Sequence, residues 1–279
     1  MSVLPHERLA QLLTMPKIDG RCHVLDPQRH PYAPDVAYRP AGQEQGEWPS
    51  FQAVLASHHV THALLVGPNS GYATDNRCLL DALALSQGAY QGIAVVANDG
   101  REETLRDLQQ RGVIGIAFNP SLHGCDFYAD IEPLLKRLAQ LGMWAQFQVQ
   151  DDQLLELLPM IERSGVRVMI DHCGRLNLKD SLLQSGFQTL LAWGRSSQTV
   201  VKLSGFAKFS ENGLPLDDVR PVLEALAKNF GLQRCIWASD WPYLKAPYRL
   251  DYGPMLALYA DFSASLNESK SCGILRNRC

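Results

Sequence analysis

The sequence predicts a single-domain α/β protein, a (β/α)8 TIM barrel, and three observations carry that prediction. About eight short apolar runs alternate with about eight amphipathic stretches along the chain. The runs are nearly continuous in apolar residues, as in a parallel sheet covered on both faces, instead of alternating with polar ones. About eight such units in roughly 250 residues is the measure of this barrel. A doubly wound open sheet is the competing architecture. No G-x-G-x-x-G turn follows the first strand, which weakens its nucleotide-binding version. No domain boundary, repeat or low-complexity segment interrupts the 279 residues, so one domain is expected over 1–279, with the barrel at about 17–262.

The first strand is Lys17-Ile-Asp-Gly-Arg-Cys-His-Val-Leu25. Asp19, Arg21 and His23 stand at every second position, so on a strand they share one face. No apolar core accepts such a face, which marks it as wet and functional. A loop of four prolines and two tyrosines, Asp26–Pro40, follows and excludes helix or inner strand. Its aromatics point to an ordered cover. The alternation then runs in order: strand Thr61–Pro68, helix Asp75–Gln87, strand Gly92–Asn98, helix Arg101–Gln110, strand Val113–Pro120, helix Ile131–Leu141. It continues with strand Trp144–Gln150, helix Asp152–Ser164, strand Arg167–Gly174, helix Leu182–Arg195, strand Thr199–Lys208, helix Asp218–Phe230, strand Cys235–Pro242 and helix Pro254–Phe262. The tail from Ser263 is polar and has no assigned structure.

Composition narrows the class of partner. A net charge of −3 gives no electrostatic reason to expect nucleic acid or an anionic membrane. No apolar run reaches bilayer length. The first residues lack a signal-type apolar segment, so a cytoplasmic location is expected. Seven scattered cysteines without a C-x-x-C pair fit reduced thiols better than disulfides or a structural zinc site. Cys22 and Cys173, each beside a site histidine, are expected to face into packing. Oligomeric state is not legible.

In a barrel of this kind the active site lies at the C-terminal ends of the strands. There the sequence places His23, Asn119, Gln146, Gln148, His172, Lys208 and Asp240. Each alone has an ordinary explanation: His172 as a satisfied core histidine, Asp240 as the cap of a turn, the glutamines and Lys208 as solvated rim. Their coincidence at one end of the barrel favours a site, since independent surface polars would scatter between both ends.

Asp19-x-Arg21-x-His23, Ile170-Asp-His-Cys-Gly-Arg175 and Trp237-Ala-Ser-Asp-Trp-Pro242 resemble the amidohydrolase superfamily. More narrowly they resemble its branch of 2-pyrone-4,6-dicarboxylate hydrolases, galactarolactone isomerases and 4-sulfomuconolactone hydrolases. The Pro-Tyr…Tyr-Arg-Pro loop, Asp75-Asn-Arg77, Gly92-Ile-Ala-Val-Val96 and Gly115-Ile-Ala-Phe-Asn119 match as well, so the likeness covers about 17–262. It implies hydrolysis or isomerisation of a small anionic lactone or cyclic ester. Carried over by residue, it implies Asp240 as general base, with His172 and His23 polarising the substrate carbonyl. Tyr38, Asn119, Gln148 and Lys208 are then expected to bind substrate. Lys208 and Ala117 stand where the dicarboxylate hydrolases carry arginines, and Gln148 replaces a tyrosine. With two anion contacts changed, a sugar-acid lactone fits the Gln/Asn-rich rim better than the pyrone dicarboxylate.

Arg21 departs from the family pattern, which is His-x-His on the first strand. His23, His172 and Asp240 remain as three possible ligands for one divalent metal such as zinc. A guanidinium ~4 Å from such an ion costs roughly 8 kcal/mol at an effective dielectric near 20, and arginine keeps its charge. A metal-independent site without cofactor is therefore expected. Arg21 is left to pair with Asp240 or to grip a substrate carboxylate, unless the change has disabled the site. The leading reading is a lactone hydrolase. The alternatives are a lactone isomerase, a non-catalytic sugar-acid binder and a metal-dependent decarboxylase.

Overall fold

The computed structural model describes residue 10, residues 13–36 and residues 38–267. Eight strands, β1 (Lys17–Cys22), β2 (Val60–Val66), β3 (Tyr90–Ala94), β4 (Val113–Phe118), β5 (Trp144–Phe147), β6 (Arg167–Ile170), β7 (Val200–Leu203) and β8 (Cys235–Trp237), lie in sequence order in one sheet. All seven pairings are parallel. After each strand comes one main helix: α1 (Trp48–Ser57), α2 (Arg77–Leu85), α3 (Glu102–Gln110), α4 (Glu132–Gln140), α5 (Gln153–Ser164), α6 (Ser185–Ser196), α7 (Arg220–Phe230) and α8 (Tyr252–Asn267). This is the expected (β/α)8 barrel. Its interior is filled by a small cluster, Leu64, Val66, Ile93, Val95, Ala117 and Met169, while the larger core lies between strands and helices.

The barrel closes where β1 meets the end of β8. Asp240 N donates to Arg21 O at 2.9 Å and His23 N to Trp241 O at 2.8 Å, with a parallel bridge between Cys22 and Trp241. The Asp19 carboxylate ties the seam, accepting from Ser239 N at 2.9 Å, Ser239 Oγ at 2.5 Å and Tyr252 Oη at 2.9 Å. Backbone and side chain thus lock the first strand to the last, which fixes His23 beside Asp240.

Three differences from the expected boundaries have physical causes. The strands end earlier than their apolar runs, so Asn119, Gln148, His172, Lys208 and Asp240 all lie past the last strand residue. There the backbone leaves extended geometry: φ is 52° at His172, 58° at Cys173, 43° at Arg175 and 63° at Asp240. Helix α1, absent from the expected series, has Pro49 in its first turn and buries Phe51 and Leu55, one i,i+4 pair. Helix α8 runs longer than Pro254–Phe262, and residues 268–279 fall outside the described residues. Among its described residues the proline loop carries no helix or longer strand. Its Tyr32 packs against Tyr72 at 5.2 Å between ring centroids, and Leu25 bridges antiparallel to Gly46. Among the described residues no helix is long and apolar enough to cross a membrane.

Gly20 sits in the closing seam, where a Cβ would lie 2.9 Å from Trp237 O and 2.4 Å from Ile236 Cγ2. Gly20→Ala is therefore expected to destabilise the fold by about 1–3 kcal/mol through overpacking. Urea unfolding beside wild type checks this, and an unchanged midpoint would contradict it.

Candidate active site

The first strand does not keep its three polar residues together. Arg21 and His23 line a cavity of about 500 Å³ at the C-terminal mouth, whereas Asp19 is fully buried beneath it. The register of β1 against β2 shifts between Asp19 and Cys22, which breaks the simple two-residue alternation. Burial pushes the Asp19 carboxyl above its usual range, against hydrogen bonds from Ser239, Arg21 N and Tyr252. Its place is the seam, not the mouth.

Asp240 is the centre of the site. Its Oδ1 accepts from Arg21 Nε at 3.0 Å, and His23 Nε2 and His172 Nε2 each stand 3.6 Å from the same oxygen. Lys208 Nζ holds Oδ2 at 2.5 Å. Burial alone would raise this carboxyl, but the Lys208 and Arg21 cations beside it outweigh burial and hold it well below the usual carboxylate range. Burial lowers both histidines, His172 the more strongly, so both rings are neutral near pH 7.

The two neutral rings differ in what they offer. His23 Nδ1 lies 2.7 Å from Val66 O. A carbonyl only accepts, so Nδ1 carries the proton and Nε2 presents a bare lone pair. His172 Nδ1 lies 2.9 Å from Ser204 Oγ, a hydroxyl able to donate, and its Nε2 is buried without a hydrogen-bond partner. With Ser204 donating, His172 Nε2 carries a proton. This close approach depends on Gly205, at φ +65°, where a Cβ would meet His172 Nδ1 at 2.4 Å. The resemblance implied that both histidines polarise a carbonyl. The geometry equips His172 for that and makes His23 an acceptor.

Each nitrogen of Arg21 has a partner. Nε binds Asp240, NH1 binds Asp171 Oδ2, and NH2 donates to Gln148 Oε1 at 3.1 Å. Of its two expected tasks, pairing with Asp240 is realised, while each guanidinium nitrogen already makes one hydrogen bond to a protein side chain. Asp171 Oδ2 also accepts from Gln146 Nε2 at 2.7 Å, and Lys202 Nζ stands 3.5 Å from Oδ1 while donating to Gln146 Oε1. Lys202 is wholly buried, and burial lowers it to about 8 despite the opposing pull of Asp171.

A divalent ion does not fit these residues. Arg21 Nε–H already occupies the Asp240 oxygen that both histidines approach, and Lys208 occupies the other. Among the described residues no group of three His, Cys, Asp or Glu side chains is arranged to hold a metal.

Asn119, Gln146, Gln148 and Lys208 line the cavity as expected residues at strand ends. Tyr38 is not brought into its lining, since its hydroxyl donates to Glu44 and its ring carries Lys245 Nζ at 4.7 Å from the centroid. Sequence reasoning passed over Asp171, Arg175, Ser121, Lys202 and Ser204. The signal was present for Lys202, a lysine inside the otherwise apolar Thr-Val-Val-Lys-Leu. Asp171 and Arg175 stood within the quoted motif around His172 without being assigned to the site.

The profile of the family named Amidohydrolase matches residues 18–270. A curated 4-sulfomuconolactone hydrolase of Rhizobium radiobacter is 30% identical over 255 residues, covering 88% of this chain and 83% of the relative. The 2-pyrone-4,6-dicarboxylate hydrolase of Comamonas testosteroni is 25% identical over 257 residues, 88% of this chain and 82% of the relative. A solved Pseudomonas putida structure, described provisionally as a 2-pyrone-4,6-dicarboxylic acid hydrolase, superposes with a TM-score of 0.77 at 27% identity, covering 92% of this chain and 94% of that one.

Lys202→Met leaves Asp171 with Arg21 alone as its cation and Gln146 Oε1 without its donor, and is expected to cost about 3 kcal/mol. The difference grows with pH above about 8. There folded Lys202 sheds a proton that the unfolded residue keeps to its ordinary value of 10.5, so wild type gains stability and the variant does not. Urea unfolding of both proteins at pH 7 and pH 9.5 measures this, and a gap that narrows on going alkaline would contradict it.

Proposed function

The chain belongs to the amidohydrolase family, and we propose that within it the protein is a metal-independent hydrolase of a small anionic lactone. The observation that carries this is the Asp240 carboxylate, buried between Arg21 and Lys208 with both histidine Nε2 atoms at 3.6 Å. Such a group stays ionised in a dry pocket and faces an acceptor, His23, and a donor, His172. The cavity, about 500 Å³, suits a ring with a few substituents. Relatives of both curated names act on lactones, and those names support the same class here.

In this reading Asp240 takes a proton from the attacking water while His23 Nε2 accepts the water's second hydrogen. His172 Nε2–H steadies the oxyanion that develops on the carbonyl. The acyl C–O bond of the ring then breaks, and the proton held by Asp240 passes to the leaving alkoxide. With Lys208 on Oδ2, Asp240 is a weak base. A substrate that draws the Lys208 ammonium towards itself raises that basicity at the moment of attack. Asn119 and Gln148 are placed to meet hydroxyl groups, which favours a sugar-acid lactone. The unpaired thiols of Cys22, Cys78, Cys125, Cys173 and Cys235 support a reducing compartment, and we place the protein in the cytoplasm.

A pH-indicator screen of lactones tests the reading. Asp240→Asn is expected to lower kcat by roughly 10²–10⁴-fold, while dialysis against chelator leaves wild-type activity intact. Ring migration without acid release assigns the protein as an isomerase instead. Tight binding without turnover removes the enzyme, and stoichiometric zinc or manganese whose loss abolishes activity removes metal independence.

Acid tolerance is a second test. Asp240 remains charged and both histidines neutral as pH falls, because the folded values of all three lie below ordinary. The profile of kcat/KM is therefore expected to be flat through the ordinary histidine value of 6.5. A loss of activity centred there would contradict it.

A further inference from the structure

We infer that Arg175, held by Ser121, is the site that binds the substrate's anionic group, a carboxylate or a sulfonate separate from the reacting ester. This rests on the lactone reading for the identity of the ligand, though not for its charge.

Each cation at the mouth other than Arg175 already has a charged or aromatic partner. Arg21 has all three nitrogens engaged by Asp240, Asp171 and Gln148. Lys208 is paired with Asp240 Oδ2 and can turn to a substrate only by leaving it, and Lys202 lies wholly buried on Gln146 and Asp171. Lys245 is exposed, with its ammonium over the Tyr38 ring. Arg175 differs from all of these. It is half-buried, it lines the cavity, and its side chain makes one hydrogen bond, from NH1 to Ser121 Oγ at 3.2 Å. Among the described residues no carboxylate lies within ion-pair distance of it. Burial lowers its basicity, opposed only by Asp240 and Asp151 through space, as befits a charge without a direct counterion.

Its surroundings fix where it points. The backbone stands in the left-handed region at φ 43°, with Arg175 N donating to His172 O at 2.9 Å and Asp151 N donating to Arg175 O at 3.2 Å. One tight turn thus carries both His172 and Arg175, so an anion on the guanidinium is set in register with the imidazole that meets the carbonyl. Ser121 is itself committed. Its Oγ donates to Asn119 Oδ1 at 2.7 Å and accepts from Gln148 Nε2 at 3.0 Å as well as from Arg175. With its proton on Asn119 it has none for a ligand, so Ser121 positions the guanidinium and does not bind the anion. The Nε and NH2 edge of Arg175 remains, a fork matched to two oxygens of one carboxylate or sulfonate.

Calorimetric titration with D-glucarate, cis,cis-muconate and isethionate separates binding from turnover and carboxylate from sulfonate. Wild type is expected to bind at least one of them, with Kd raised roughly 100-fold in Arg175→Gln and less in Arg175→Lys. In parallel, the preference for D-glucaro-1,4-lactone over the uncharged D-glucono-1,4-lactone is expected to fall by a similar factor in Arg175→Gln, chiefly through KM. Equal losses on the charged and uncharged lactones make Arg175 scaffold and overturn the inference. So does failure of all three anions to bind wild type, or an Arg175→Gln protein that binds as wild type does. Anion binding through Arg175 with no lactone turned over leaves the inference standing and removes the lactonase reading. Lactone turnover with an unchanged charge preference does the reverse.

Discussion

Everything at the mouth of this barrel depends on two carboxylates buried among cations. Asp171 and Asp240 are almost wholly buried, and cations flank each: Lys202 and Arg21 the first, Arg21 and Lys208 the second, which hold Asp240 ionised. The order Lys202, Asp171, Arg21, Asp240, Lys208 alternates in sign along a run of direct contacts. Charges so arranged offset the several kcal/mol that each would lose on burial alone, and removing one member strands its neighbour. Arg21 is the hinge of this chain, because it alone touches both carboxylates.

That position explains how the first strand tolerates an arginine where a metal ligand would stand. A guanidinium on Asp240 supplies positive charge at a point where a divalent ion would otherwise supply it, and it cannot coexist with one at the same oxygen. The consequence for chemistry is a carboxylate of low basicity, tuned by Lys208, and two neutral histidines of opposite hydrogen-bonding sense. With Arg175 included, the side chains at the mouth carry more positive than negative charge, which is the electrostatic state of a site that receives an anion.

Much of the architecture was legible in the sequence because barrel strands are apolar on both sides and their helices are amphipathic, so the chain announces its own repeat. Phe51 and Leu55 show where that failed: one helical turn of apolar spacing in α1 gave too short a signal to stand out after a proline-rich loop. For the site, the polar residues that interrupt the ends of apolar runs were visible one by one. Lys202 was visible too, but a buried lysine acquires meaning only from partners far along the chain. Tyr38 shows the converse, since its match to a motif said nothing of Glu44, which takes its hydroxyl.

The sequence by itself determined the barrel, the end of it that carries polar groups, and the departure at Arg21. These are properties of local pattern, period and residue type. Only the tertiary structure decided that Asp19 belongs to the closing seam, that Arg21 bridges Asp240 and Asp171, that His23 Nδ1 meets a carbonyl while His172 Nδ1 meets a hydroxyl, and that Arg175 is left without a direct counterion. Each of those depends on which atoms meet across strands distant in sequence, and a hydrogen bond's direction is fixed by the partner it finds, not by the residue that offers it.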